Sequence, residues 1–190
     1  MRKTALTLLA LCAGLAACTD PDSKPMTPEQ DYLMNAYADV TSAYAWDTVC
    51  NKGRKIAAKD PVLSGNLSMI ATQVYQVLRN TNAGAPDDVL TDAAVMSGKS
   101  MQEMQEKLLK EQGCDAAGLQ AYKAAHARYT SVPAEQNYIG IMQDMHKKGI
   151  QRAAPRPDAA PAGAPTTPLP DAGRQKAIDL LTGHKPPAQK

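Results

Sequence analysis

The chain has 190 residues, with 21 basic and 19 acidic side chains and a formal net charge of +2. Hydrophobic residues make up 44% of it, enough for one domain with a true core, although it holds no Phe and a single Trp. Near-balanced charge excludes the concentrated basic face of a nucleic-acid binder, and no run approaches the roughly 20 apolar residues of a membrane-spanning helix.

The start of the chain reads as an export signal. Arg2 and Lys3 precede an apolar stretch from Ala5 to Leu15, which leads through small residues into Leu15-Ala16-Ala17-Cys18. This run resembles the lipobox of bacterial lipoproteins. The resemblance implies that residues 1–17 are removed, and that Cys18 is acylated and becomes the first mature residue. Covalent lipid at Cys18 then attaches the protein to a membrane, each buried CH₂ contributing about 0.8 kcal/mol. An Asp directly after that cysteine resembles an inner-membrane retention signal; here Thr19 follows, and Asp20 comes one place later. The expected address is the periplasmic face of the outer membrane.

Without residues 1–17, 173 residues remain, carrying 19 basic and 19 acidic side chains. Residues 19–150 hold 13 basic and 16 acidic groups (−3), and residues 151–190 hold 6 and 3 (+3). Cys12 leaves with the signal and Cys18 carries lipid, so Cys50 and Cys114 remain in an oxidising compartment where disulfides persist. A bridge between them is expected. With no Cys-x-x-Cys motif present, its role is structural.

The elements follow in chain order. Residues 18–27 form a polar tether, and Thr27-Pro28-Glu29-Gln30 reads as a capping box with Pro in the first turn. Leu33, Ala36, Tyr37, Val40, Ala43, Tyr44 and Cys50 then recur at three- and four-residue steps, predicting a long amphipathic helix. Asp60-Pro61 and Ser64-Gly65-Asn66 predict a connection. A second helix follows on Leu67, Ile70, Ala71, Val74, Val77 and Leu78, stopped at Asn82-Ala83-Gly84. Pro86-Asp87-Asp88 opens a third, with Leu90, Ala94, Ser97, Met101, Met104 and Leu108 on its inner face, Gly98 as a soft point and Gly113 at its end. Asp115 is expected to cap a fourth helix bearing Leu119, Tyr122, His126 and Tyr129, broken at Val132-Pro133. A fifth runs from Ala134 to near Gly149 with Tyr138, Met142 and Met145 inward.

These five amphipathic helices over residues 28–150, with no alternating strand pattern, predict an all-α fold, a compact helical bundle. Residues 153–170 contain six Pro and six Ala, so residues 151–170 read as an extended spacer. Residues 171–190 then hold a short helix, with Ala177, Ile178 and Leu181 apolar, and a basic tail. So short a helix is marginal alone and needs the bundle or a partner to dock on.

No catalytic constellation is present: no Gly-x-Ser-x-Gly elbow, phosphate loop or His-Glu-x-x-His pair. Asp87-Asp88 is read as helix-start electrostatics. No cofactor is expected beyond the lipid. The alternative chemistry is copper, since Met101-x-x-Met104 and Met142-x-x-Met145-His146 place soft ligands a helical turn apart. The same methionines lie on the apolar stripes, where Met is ordinary core filler. Haem ligation by His126 competes with a core histidine hydrogen-bonded to a tyrosine or carbonyl, and the scattered tyrosines read first as core residues.

The expected function is that of a non-catalytic envelope lipoprotein that holds or positions a protein partner, Ile178 and Leu181 being candidate partner-binding residues. In layout the chain is distantly similar to lipoprotein pilotins, disulfide-stabilised helical bundles that escort secretin subunits to the outer membrane. A further alternative is a peptidoglycan tether, because Lys190 resembles the terminal lysine by which the major outer-membrane lipoprotein is joined to the cell wall.

Overall fold

The computed structural model describes residues 25–51 and 60–156. Cys18 with its lipobox-like run, most of the Pro/Ala spacer, Ile178, Leu181 and Lys190 lie outside the described residues.

The described residues form an all-α bundle of five helices: α1 (Pro28–Val49), α2 (Pro61–Thr81), α3 (Asp87–Gln112), α4 (Gln120–Ser131, after a 3₁₀ turn at Ala117–Leu119) and α5 (Ala134–Lys147). No described helix is long and apolar enough to cross a membrane. Helix α1 starts on the capping box: the Gln30 N–H donates to Thr27 Oγ1 at 3.2 Å, and the Thr27 N–H to Gln30 Oε1 at 2.8 Å. It is the central helix, packed against α2, α3 and α4. Leu33, Tyr37, Val40 and Ala43 enter a core completed by Leu63, Ile70, Val74, Leu90 and Met145.

Helix α2 begins earlier than its sequence suggests. Asp60 Oδ1 accepts from the Val62 and Leu63 N–H groups and Pro61 occupies the first turn, so Ser64-Gly65-Asn66 is helical. This polar triplet reads as a breaker because its purpose is tertiary. Asn66 is fully buried; its Nδ2 lies within 3.0 Å of the Val62, Tyr129 and Val132 carbonyls, and its Oδ1 accepts from Asn137 Nδ2 at 2.8 Å. One amide therefore binds α2 to the α4–α5 junction. The start of α5 lies beside Gly65, where a Cβ would make an ordinary contact with that of Ala134 at 3.7 Å.

In α3 the inner face turns as the helix advances. Met104 and Leu108 were expected inside; instead Gln105 and Leu109 are buried, Leu108 is half-buried and Met104 is 62% exposed. The first turns of α3 pack on both α1 and α2, whereas its last two meet Ala45, Val49 and Leu119 in a smaller second core. Gly98, read as a weak point, is where the Tyr37 ring lies against the α3 backbone. Gly113 ends the helix at φ +84°.

Asp115 does not cap α4. The 3₁₀ turn buries Leu119 first, and Gln120 Nε2 reaches the Cys114 and Ala116 carbonyls at 3.4 and 3.3 Å. In α5 only Met145 is fully buried, while Tyr138, Ile141 and Met142 are half-buried.

Cys50 and Cys114 are joined, with Cα atoms 5.7 Å apart, linking the end of α1 to the end of α3. At the opposite end, residues 151–156 lie back across the bundle, where a free spacer was expected to begin. The buried carboxylate of Glu29 (2% exposed) accepts from Arg152 Nε at 3.2 Å and from the Ala153 N–H at 2.7 Å. Arg156 donates to the Ala85 carbonyl at 3.0 Å and to Asp87 at 2.6 Å, and its N–H to Asn80 at 3.2 Å. The start of α1, the α2–α3 turn and the last described residues thus share one end of the bundle.

Candidate functional site

One face of α1 carries Asp31, Tyr32, Asn35, Ala38, Asp39 and Ser42 at helical spacing, exposed at Asp31 and Asn35 and buried at Ser42. It forms the floor of a groove of about 980 Å³, with Gln105 of α3 on one side and residues of α4 and α5, including Tyr122, Arg128, Tyr129, Gly140 and Ile141, on the other. At 1.5 Å per residue, the stretch of floor from Pro28 to Ser42 is about 21 Å long.

Two matching clusters fix the walls. Tyr32 Oη donates to Asp144 Oδ2 at 2.7 Å, Lys148 Nζ reaches the same oxygen at 2.7 Å, and the ammonium lies 5.0 Å from the centre of the Tyr32 ring. Farther along, Arg128 pairs with Asp39 while its guanidinium lies 4.5 Å over the Tyr129 ring. Burial, and secondarily the Asp144 carboxylate, push the Tyr32 hydroxyl up to about 12. At neutral pH Tyr32 is therefore a fixed hydrogen-bond donor. Asp144 is held below the usual carboxylate range by its hydrogen bonds from Lys148 and then Tyr32.

Gln105, 8% exposed, donates through Nε2 to the Ala38 carbonyl at 2.8 Å, while its Oε1 is buried with no hydrogen-bond partner. A buried acceptor left unmade is a local cost to the α1–α3 contact, offset by the bond that the same amide makes to Ala38. Aromatic faces and paired charges along an open groove suit the binding of a chain segment.

The sequence-derived copper ligands do not converge. Met145 is 2% exposed and belongs to the core, whereas His146 beside it is exposed and Met142 is half-buried. Met101 is likewise buried where Met104 is exposed. One helical turn separates each pair in sequence, but the packing uses the inward methionine of each as filler. Among the described residues no group of three or more His, Cys, Asp or Glu side chains could hold a metal. His126 Nε2 lies 3.0 Å from Asp47 Oδ1, tying α4 to the end of α1.

Sequence reasoning missed Tyr32, Asp39, Gln105, Arg128 and Asp144 as one group. The available signals were the i, i+4 pair Asp144–Lys148 and a polar Gln105 beside the inner face of α3. The chain matches no protein-family model, no curated protein and no solved structure.

Proposed function

We propose that the chain is a lipid-anchored, non-catalytic envelope protein whose bundle holds or positions a protein partner. The observation that carries this reading is the Cys50–Cys114 link, which joins two helix ends 64 residues apart in sequence. Such links persist in exported proteins, the compartment that the lipobox-like Leu15-Ala16-Ala17-Cys18 implies. The groove supports binding as the activity, because Tyr32, Asp144 and Lys148 are tied to one another, as are Asp39 and Arg128. The layout similarity to pilotins supports an outer-membrane address facing the periplasm and a role in assembly.

The test is mass spectrometry of protein from native membranes. The expected result is an acylated amino terminus at Cys18, with Cys50 and Cys114 alkylated only after reduction, and a Cys18→Ser variant released from the membrane fraction. Retention of residues 1–17, or free thiols at Cys50 and Cys114, refutes the reading.

A further inference from the structure

The groove over α1 is matched in length by an amphipathic segment of the same chain. Residues 171–183 present Ala177, Ile178 and Leu181 at helical spacing, with Arg174 and Lys176 balanced by Asp171 and Asp179. As a helix this segment is about 18 Å long, against about 21 Å of groove floor. The groove offers the half-buried Ala36, Tyr122 and Ile141 to that apolar stripe and the exposed carboxylate of Asp31 to the cations.

Reach is sufficient. Ile150 lines the near end of the groove, and six residues later Arg156 is clasped at the α2–α3 turn, so the two are at most about 20 Å apart. The 14 residues from 157 to 170, five of them Pro, extend about 43 Å at polyproline pitch. That covers both the return path and the whole groove, roughly 41 Å together.

We propose that residues 171–183 dock as a short amphipathic helix in the α1–α4–α5 groove, so that the chain covers its own binding face and a partner must displace the segment. This goes beyond the anchoring reading and does not depend on acylation. Short linkers give effective concentrations on the order of millimolar, so a segment with a dissociation constant of about 0.1 mM is bound in roughly nine molecules of ten.

The experiment adds a fluorescent peptide of residues 171–183 to the mature chain and to a chain ending at Arg156, both in detergent and both checked for helix content and the Cys50–Cys114 link. Both cores lie between Leu33 and Ile150, so the shorter chain retains them. The expected result is binding to the shorter chain at about 0.1 mM or tighter and at least about tenfold weaker binding to the mature chain. Asn35→Arg, an exposed change in the floor, should weaken it about tenfold, as should Ile178→Asp with Leu181→Asp in the peptide, which leaves the protein untouched. No binding up to about 1 mM, or equal binding to both chains, overturns the proposal. So does dimerisation of the shorter chain that Asn35→Arg abolishes, which would give the groove to a second copy.

Discussion

The ring of Tyr37 occupies the space into which any side chain on Gly98 would grow: a Cβ there would fall on its hydroxyl and Cζ, with Cε1 at 3.0 Å. Helices α1 and α3 approach as closely as they do because position 98 is bare. Glycine costs α3 about 1 kcal/mol of helix propensity, and the packing of a buried aromatic ring outweighs that loss.

Gly98→Ala should therefore destabilise the fold by about 1–3 kcal/mol even though alanine is the better helix former. Denaturant unfolding checks it. A double variant with Tyr37→Leu should lose less than the sum of the two single changes, because the clash and the ring disappear together.

Removing the cross-link as Cys50→Ala with Cys114→Ala should cost about 4 kcal/mol in the chain-entropy description, given a closed loop of 64 residues. Amide exchange should rise first around Ala45, Val49, Leu109 and Leu119, the small core beside the link, and only later in the main core.

Asn66→Ala removes a donor from the Tyr129 and Val132 carbonyls, although Val132 keeps Asn137 Nδ2 at 3.0 Å. The expected loss is about 3 kcal/mol. Asn66→Asp should be more informative. Its carboxylate would face those carbonyls, which raises its folded pKa above the ordinary value near 3.9. The variant should thus be most stable below about pH 4 and weaken as pH rises through the folded pKa, a trend that urea midpoints measured between pH 3 and pH 7 would reveal.

Titration of the tyrosines by ultraviolet absorbance should show one group near 12 that disappears in Tyr32→Phe. Since this pKa is raised, its contribution to stability is complete below about pH 10 and is lost as pH climbs towards 12. Asp144→Asn should lower the Tyr32 value only in part, because burial is the larger cause. The depressed Asp144 acts in the opposite sense, its contribution fading as pH falls below about 4.

Trypsin can cut after Arg152 but not after Arg156, which Pro157 follows. Glu29→Gln weakens the charge-assisted bonds that hold residues 152 and 153, so cleavage at Arg152 should quicken about tenfold. Gel analysis over time measures it, and an unchanged rate would mean that Arg156 alone holds the strap.

The five helices were legible because their apolar stripes, the Thr27 capping box and the Gly113 stop are local signals. The failures were tertiary. Ser64-Gly65-Asn66 looks like a turn until Tyr129 and Val132 are seen to need its amide, and Met104 looks buried until α3 is found to change neighbours. The groove was illegible for the same reason. Its clusters pair residues about 90 and 112 positions apart, such as Asp39 with Tyr129 and Tyr32 with Asp144, and no spacing rule links positions that distant.

Because residue 28 and residue 156 sit at the same end, tension between the front of the chain and its tail bypasses the long axis of the bundle. The load falls first on Glu29–Arg152 and Asp87–Arg156, which would unzip one after another like stitches in a seam. Only after both arginines let go would the pull pass along the chain to Ile150 and the end of α5, so the Cys50–Cys114 end lies farthest from a load on the tail.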